Sequence, residues 1–397
     1  MHRAPPPWPA ARRCALLAVP ILWGSYAPAT KLLLGAGGAA PPLLFVALAT
    51  HCVGAASLAA LWAAQAACAP AAGISGKREA WPPAQRRRLV VGSLELGTYL
   101  FFGQLLQLVG LRWTTATLNA ILVQSSVVLV PFLEPLLSET SDAATGNGDR
   151  DRPSPWRRFG PSALALCGIV LVTLFDAAGD ATGGAAGGTA AGPRADARRG
   201  IAVVASLAAA LCYAVHTMRL GAYSDVDAAA QAAGQVAANA ALDLFALVAW
   251  RAVHVFLDFG AADTAFSAAA WLASPRVLIG VLWNGVFVVG ATTWAMSFAQ
   301  QAVPPATAAL AYALEPFFAA VFAAAALGDA LAPQQLIGGA CVVAANAAAA
   351  GAFDSCSHRR AEKAAPPRDA SDDDGDAHDD DSFEHADAPL VHARPRP

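Results

Sequence analysis

Apolar stretches long enough to cross a bilayer recur along the chain, and short polar or glycine- and proline-rich segments separate them. A helix needs roughly 20 apolar residues to span the hydrocarbon core, which is ~30 Å thick. Continuous apolar runs such as 278–289 lack the polar face that an exposed soluble helix shows. The pattern predicts an all-α protein with ten transmembrane helices, at about residues 14–34, 41–64, 87–110, 114–137, 159–176, 200–220, 228–256, 276–300, 303–327 and 334–353.

Composition favours a membrane protein over the alternative, a soluble alanine-rich helical bundle. Charged residues make up only 14% of the chain and the mean hydropathy is +0.46, whereas about a quarter of the residues in soluble domains are charged. Alanine is only mildly apolar, so the alanine-rich span at 228–249 is expected to need neighbouring helices. The seven cysteines form no CxxC pair, so neither a disulfide framework nor a metal site is expected.

Three segments divide the chain into two apolar halves, 14–176 and 200–353. They are an N-terminal segment (1–13), a glycine- and alanine-rich linker (177–199) and a tail (354–397) with 12 acidic and 6 basic residues. The tail is expected to be a solvated, disordered extension. The basic N-terminus resembles the start of a signal peptide, but the apolar run after it is too long for a cleaved one, so we expect a retained first helix.

Basic residues are unevenly distributed between the two sides of the predicted bundle. With the N-terminus inside, 19 of the 26 Lys and Arg residues fall on the inner side and 7 on the outer side. Because basic flanks favour the cytosolic side of a membrane, both termini are expected on the cytosolic or organelle-internal side. The sequence leaves open which membrane this is.

The two halves share a pattern. Residues 94–137 are predicted to form a helix, a very short break and a second helix, and residues 284–327 follow the same pattern at an offset of 190, with Ala116 aligned on Ala306. Each half would hold five spans, so the halves would have opposite orientations. Inverted repeats recur in secondary transporters, whose substrate sites lie near the midplane between the halves.

Short motifs in both halves resemble one known family. Those of the second half are Glu315-Pro316, Leu327-Gly328-Asp329 and Gly338-Gly339, and those of the first half are Ile21-Leu22-Trp23-Gly24, Thr115-Ala116-Thr117 and Val130-Pro131. These segments are similar to the EamA domain, the repeat unit of the drug/metabolite transporter superfamily. The resemblance covers about residues 15–353. It implies ten helices in two inverted five-helix EamA repeats, with sites lining a central cavity.

Carboxylates within the predicted spans are the first candidates for a site. Insertion of an Asp, Lys or Arg in a span costs about 2.5–3.5 kcal/mol, so such groups face a partner or a wet cavity. Glu95, Asp243 and Glu315 are the deepest carboxylates. Tyr99 shares a helix face with Glu95, and Tyr312 shares one with Glu315. A cavity-lining carboxylate could bind a cationic group or exchange a proton; the alternative is a structural role as a protonated Glu bonded between helices.

Neutral polar and aromatic side chains in the spans are the second group of candidates. Amides suit polar solutes because they both donate and accept hydrogen bonds, but they equally serve to join helices. The polar candidates are Asn119, Gln124, Gln104, Asn284 and Thr98. The aromatic candidates are Trp23, Tyr26, Trp283 and Trp294. His51 and His216 are either proton relays or packing residues.

These observations predict a secondary transporter that moves a small polar or amphipathic metabolite by alternating access, with proton coupling as an option. One alternative is a sugar-phosphate or nucleotide-sugar carrier of the same superfamily. No Lys or Arg lies between Arg276 and Arg359, which argues against it because phosphate needs cationic partners; Lys31 and Arg219 are the obvious cations near span ends. The other alternative is a non-transporting scaffold with a recruiting tail.

Neither direct ATP coupling nor catalysis is indicated. The sequence contains no GxxxxGK[ST] motif and no HExxH motif. No cofactor or metal is expected. The expected partners are a small-molecule solute and the lipid bilayer, and no nucleic acid. The oligomeric state stays open, with a dimer as one option.

Overall fold

The structure, a computed structural model, describes residues 10–35, 41–68, 81–126, 193–256, 266–303, 305–312 and 314–328, with short stretches between 129 and 168 and between 333 and 348. These residues belong to one compact unit, Met1–Cys356. Within the described ranges the protein is helical and has no strand. This confirms the all-α prediction at that level.

Twelve α-helices and one π-helical segment are described. The helices of the first half are α1 (Ala10–Gly24), α2 (Tyr26–Gly35), α3 (Leu43–Cys68), α4 (Pro83–Trp113) and α5 (Ala116–Gln124). Those of the second half are α6 (Pro193–Gly221), α7 (Ala228–Phe256), α8 (Ala268–Leu272), α9 (Pro275–Leu282), the π-helical segment (Trp283–Ala291), α10 (Thr292–Gln300), α11 (Pro305–Tyr312) and α12 (Glu315–Leu327).

Six helical stretches are long and apolar enough to cross a membrane: Ala10–Gly35, Leu43–Gln65, Pro83–Trp113, Asp196–Gly221, Ala228–Val253 and Pro275–Gln300. They coincide with the predicted spans at 14–34, 41–64, 87–110, 200–220, 228–256 and 276–300. The prediction of a multi-pass membrane protein is therefore confirmed. The predicted number of ten helices stays a prediction.

Three predicted boundaries need correction. The span at 303–327 is divided into α11 and α12, because Pro316 in the first turn of α12 cannot donate a backbone hydrogen bond. The helix α6 starts at Pro193, inside the predicted linker 177–199. The helix α1 starts at Ala10, inside the predicted N-terminal segment.

The remaining predicted segments lie wholly or largely outside the described residues. They are the span 159–176, most of 334–353, the end of the span 114–137, the linker up to residue 192 and the tail 354–397.

The helices pack closely where side chains are small. The helix α4 contacts α6 and α7, α3 contacts α7 and the π-helical segment, and α1 contacts α10 and α12. At the crossing of α1 and α12, a Cβ added to Gly24 would lie 2.5 Å from the Cβ of Phe318. Only glycine allows this approach. The helix α12 ends at Leu327 and is capped by Gly328, whose φ of 71° is left-handed, as in many helix C-caps.

Four interruptions of the helices lie in the interior of the bundle. A turn at Ser25 separates α1 from α2, and a turn at Ser125 ends α5. The π-helical segment passes into α10 at Thr292, and a turn at Leu314 precedes α12. Irregular backbone at membrane depth is tolerated where it is buried in protein or lines a cavity, and π-helical turns often mark functional sites.

Candidate functional site

A central cavity lies where the four helix interruptions meet. About 70 Å³ of it is accessible to water-sized molecules. Residues next to each interruption line it: Trp23 and Tyr26, Gln124 and Ser126, Val288, Val289, Thr292 and Thr293, and Tyr312 and Glu315. The helices α4 and α6 complete the lining with Leu100, Gln104, Gln107, Tyr213, Ala214, His216 and Thr217. Both halves of the chain thus contribute to one cavity.

The lining is mainly apolar, with a few polar groups. Neither Lys nor Arg is among the described residues that line it. Its ionisable residues are Glu315, His216 and three of the five tyrosines in the chain. A small number of polar groups in an apolar cavity is the usual composition of a site that orients a small molecule.

Glu315 is the acidic residue of this lining. Only 7% of the residue is exposed, and no hydrogen bond or ion pair joins its side chain to another described residue. It lies in the first turn of α12, where the partial positive charge of the helix N-terminus favours a negative group. A buried carboxylate without a partner is costly. At this position the carboxyl group of Glu315 can bind a cationic ligand or a proton.

Aromatic side chains form one wall of the cavity. The ring centroids of Trp23 and Tyr312 lie 5.1 Å apart. The indole Nε1 of Trp23 donates a hydrogen bond to Thr292 Oγ1 at 3.1 Å. These contacts join α1, α10 and α11 and fix the orientation of the indole ring.

Hydrogen bonds hold the polar part of the lining in place. The hydroxyl of Tyr213 donates to Gln107 Oε1 at 2.7 Å, which joins α6 to α4. The His216 ring nitrogen Nε2 lies 2.8 Å from Gln235 Oε1, and Gln235 Nε2 donates to Ser297 Oγ at 3.3 Å. The helices α4, α6, α7 and α10 are thereby connected around the cavity.

Glu95 lies outside the described lining. Its carboxylate accepts hydrogen bonds from Arg219 Nε, from Arg219 Nη2 at 3.1 Å and from the Tyr223 hydroxyl at 2.6 Å. Burial and the hydrogen bond to this carboxylate raise the pKa of Tyr223, so its hydroxyl keeps the proton that it donates. We call Glu95, Arg219 and Tyr223 the latch. It connects α4 of the first half to the end of α6 in the second half.

Further polar contacts between the halves lie at the same end of the bundle. Arg88, at the start of α4, donates to Asp225 Oδ1 at 2.8 Å. Arg12, at the start of α1, donates to the Phe298 carbonyl at 3.1 Å and to Gln301 Oε1 at 3.4 Å. The first half is thus tied to the second at two further points of this face.

A buried apolar layer lies between the latch and the cavity. Leu96 follows Glu95 in the chain, and Leu220 follows Arg219. Both leucines pack in one cluster with Met296 and Tyr312, which line the cavity. Leu100, the nearest lining residue on α4, lies five residues beyond Glu95, or about 7 Å at the rise of 1.5 Å per residue. An apolar cluster of described residues therefore connects the latch to the lining of the cavity.

The structure brings four of the nine predicted site residues into the lining: Trp23, Gln124, Tyr312 and Glu315. Tyr26, Gln104 and His216, named as further candidates from the sequence, line it as well. These seven residues come from seven different helices, α1, α2, α4, α5, α6, α11 and α12, so only the packing of the helices brings them together.

The other five predicted residues lie elsewhere. Asn119 joins α5 to α6, where its Nδ2 donates to Ser206 Oγ at 2.9 Å, and Asn284 Nδ2 donates to Thr30 Oγ1 at 3.1 Å. Trp294 stacks on Phe298 with ring centroids 5.3 Å apart. Tyr99 is partly buried on α4 outside the lining, and Glu95 belongs to the latch.

Several lining residues were not singled out in the sequence. They are Gln107, Ser126, Tyr213, Thr217, Thr292, Thr293 and Met296. For some of these residues, their spacing in the sequence already indicated a shared helix face. Gln104 and Gln107 are three residues apart in an apolar helix, and Tyr213 and Thr217 are four apart, so each pair occupies one helix face.

Comparisons with known proteins agree with this architecture. Residues 228–349 match the EamA-like transporter family, which is a family of transporters and not of enzymes. A chain in a solved crystal structure is similar over 89% of this chain and 99% of its own length, with 21% identity and a TM-score of 0.51. At that identity the likeness concerns the fold. No curated protein matches the chain.

The matched residues begin with α7 and include α11, α12 and Glu315. They contain the second-half motifs from which the resemblance was inferred. The prediction of an EamA domain from these motifs is thereby confirmed for residues 228–349, which match the EamA-like transporter family.

Proposed function

We propose that this protein is a secondary transporter that moves a small polar or amphipathic metabolite across the membrane by alternating access. The observation that carries the proposal is the meeting of four helix interruptions at one cavity lined by both halves. Transporter sites recur near the midplane between repeats, where discontinuous helices supply them.

The lining favours a solute with a cationic or zwitterionic group, such as an amino acid or a derivative of one. Glu315 offers a carboxylate, and Trp23 and Tyr312 offer aromatic faces that attract cations. A phosphate-bearing solute is disfavoured because the described lining contains neither Lys nor Arg, the usual partners of phosphate. A sugar-phosphate or nucleotide-sugar carrier is therefore the second candidate function.

Alternating access requires a barrier that opens and closes, and the latch with its apolar layer supplies one. The latch bonds cross between the two halves, which must move relative to each other. Opening would separate Glu95 from Arg219 and expose both charges to water, where they are well solvated. The basic flanks of the spans favour the cytosolic or organelle-internal side for this face, so the latch would be the barrier on that side.

The test is solute uptake into proteoliposomes with a panel of amino acids and related metabolites. Glu315→Gln should lower the uptake of cationic and zwitterionic compounds by about 10- to 150-fold, since a hydrogen bond to a charged group contributes about 1.5–3 kcal/mol. Asp225→Asn, which removes an exposed carboxylate outside the cavity, is the matched control and should leave uptake unchanged.

Two results would contradict the proposal. Folded, inserted protein that transports none of the compounds would favour the scaffold alternative. Uptake of sugar phosphates or nucleotide sugars that is indifferent to Glu315→Gln would favour the phosphate carriers and remove Glu315 from the site.

A further inference from the structure

One face of α7 carries a stripe of buried polar side chains. Gln231, Gln235, Asn239 and Asp243 follow one another at intervals of four residues, and each is 1% exposed or less. A spacing of four places them on one helix face. They extend over twelve residues, or about 18 Å along the helix. We call them the α7 stripe.

The stripe ends in a buried ion pair. Asp243 Oδ2 contacts the ring nitrogen Nδ1 of His51 on α3. The side chains are 1% and 4% exposed, respectively, and both lie within helices that are long and apolar enough to cross the membrane. The pair joins the two halves, because α3 belongs to the first and α7 to the second.

The net charge of this pair depends on one proton. With the imidazole protonated, the pair carries no net charge. Without that proton, one uncompensated carboxylate stays in the span, which is costly. A purely structural bridge between α3 and α7 would need no such group, since two amides join helices without a charge.

The stripe is connected to the solute cavity without being part of its lining. Asn239 Nδ2 donates to Gln104 Oε1 at 2.6 Å, and Gln235 bonds to His216; Gln104 and His216 both line the cavity. Changes in the cavity can therefore reach the stripe through two direct contacts.

Several buried polar atoms along the stripe have no hydrogen-bond partner among the described residues. They are both side-chain amide atoms of Gln231, Asn239 Oδ1 and Ser93 Oγ. Unpartnered buried polar groups are rare in folded proteins, and a bound water or a chemical role is among the explanations for them. In this protein, the unpartnered atoms of Gln231 and Asn239 lie on the same face of α7 as Asp243, which contacts His51.

Few other charges surround the pair. The other titratable side chains near Asp243 are the phenol of Tyr26 and the thiol of Cys52. The π-helical segment and α10, which pack near α3 and α7, contain no ionisable residue, and α4 has none between Leu100 and Leu111. Among these elements, His51 is thus the side chain that contacts Asp243 and can carry a compensating positive charge when protonated.

We propose that the His51–Asp243 pair is a proton-binding site, reached along the α7 stripe and separate from the group that binds the solute. The inference rests on the proposed transport function and names the proton as the ion whose movement is coupled to that of the solute. The imidazole takes a proton from water on one side of the membrane and returns it to water on the other, and only its N–H bond forms and breaks. Relative movement of the halves changes the contact of α3 with α7 and hence the affinity for the proton.

The test compares wild type, His51→Gln and Asp243→Asn in proteoliposomes. Uptake of the compounds that the wild type transports is measured with and without an inward acid gradient, and exchange of the same compounds is measured at equal pH. Both variants should keep exchange and lose the stimulation by the gradient. Cys52→Ala, the exposed neighbour of His51 on α3, is the matched control and should keep both.

A second measurement does not depend on transport. Infrared difference spectra recorded during pH titration should show bands of a titrating imidazole and carboxyl group in the wild type, and these bands should be absent from Asp243→Asn. The double variant His51→Asn with Asp243→Asn, which retains a neutral hydrogen bond, covers the case in which a single variant fails to fold.

Two outcomes would overturn the inference. One is gradient stimulation that persists in folded His51→Gln and Asp243→Asn. The other is stimulation that is lost in Glu315→Gln alone, which would place the proton in the solute cavity. Absence of uptake and exchange in the wild type would instead contradict the proposed function itself, so the two failures are distinguishable.

Discussion

Removal of the Arg219 charge should open the latch side of the cavity. In Arg219→Gln, Glu95 loses the two hydrogen bonds that it accepts from the guanidinium and keeps the one from Tyr223. The apolar layer next to the latch is unchanged. The variant therefore tests whether the ion pair itself holds the two halves together at this face.

The magnitude follows from the burial of the pair. The side chains of Arg219 and Glu95 are 34% and 22% exposed. Exposed ion pairs contribute about 0.2–1 kcal/mol, and breaking a buried pair costs about 3–5 kcal/mol. Because water partly screens this pair, we expect about 1–3 kcal/mol, which corresponds to a 5- to 150-fold shift between closed and open states.

Cysteine labelling measures this shift. Thr217 lines the cavity and is 7% exposed, so Thr217→Cys in a background without the seven native cysteines reports access to the cavity. A membrane-impermeant maleimide is applied to each side of vesicles in turn. Arg219→Gln should raise the labelling rate from the latch side by the factor given above, and the exchanged pair Glu95→Arg with Arg219→Glu should restore part of the protection.

Arg88→Gln is the matched control. Its pair with Asp225 lies at the same face but is 48% and 54% exposed, so its loss should change the rate by less than about fivefold, since exposed pairs contribute below about 1 kcal/mol. The reasoning would be refuted by an unchanged rate in Arg219→Gln, or by an equal increase in Arg88→Gln.

Three further predictions concern stability and solute binding. Gly24→Ala should lower the thermal stability of the purified protein, because the added Cβ would lie 2.5 Å from that of Phe318 and overpacking costs about 1–3 kcal/mol; an unchanged melting temperature would contradict this packing. Thr115→Ala should destabilise the protein by about 0.5–2 kcal/mol in a denaturation assay, since the Thr115 hydroxyl caps α5, whereas Thr115→Ser should be nearly neutral. Trp23→Phe should raise the solute concentration for half-maximal uptake by about 2- to 10-fold, because it removes the hydrogen bond to Thr292 worth about 0.5–1.5 kcal/mol; an unchanged value would exclude the indole from solute binding.

The spans were predictable because hydropathy is a local property. A run of about 20 apolar residues must be buried in lipid or protein whatever its neighbours are, and six predicted spans correspond to such helices. The break at Glu315-Pro316 was also local, since proline lacks the backbone donor. The turn at Ser25 was not predicted, although Pro28 gave a local signal for it, because proline cannot donate a hydrogen bond to the Gly24 carbonyl. The turn at Ser125 was not visible, because the residue at that position does not forbid a helix.

The roles of the two glutamates could not be separated by sequence. Glu95 and Glu315 are each a carboxylate in an apolar stretch. Glu95 is paired with Arg219, which is 124 residues away in the chain, while Glu315 faces the cavity. Only the packing of α4 against α6 brings the first pair together.

The sequence by itself determined that the chain enters the membrane, that its second half carries an EamA domain, and that polar residues recur every four positions on α7. These follow from hydropathy, short motifs and helical periodicity, which depend on neighbouring residues alone. The tertiary structure decided which polar residues share the cavity, which form the latch, and that the α7 stripe ends against His51. Each of these depends on contacts between helices far apart in sequence. The free-energy cost of a charged group inside a membrane depends on the partner with which it pairs.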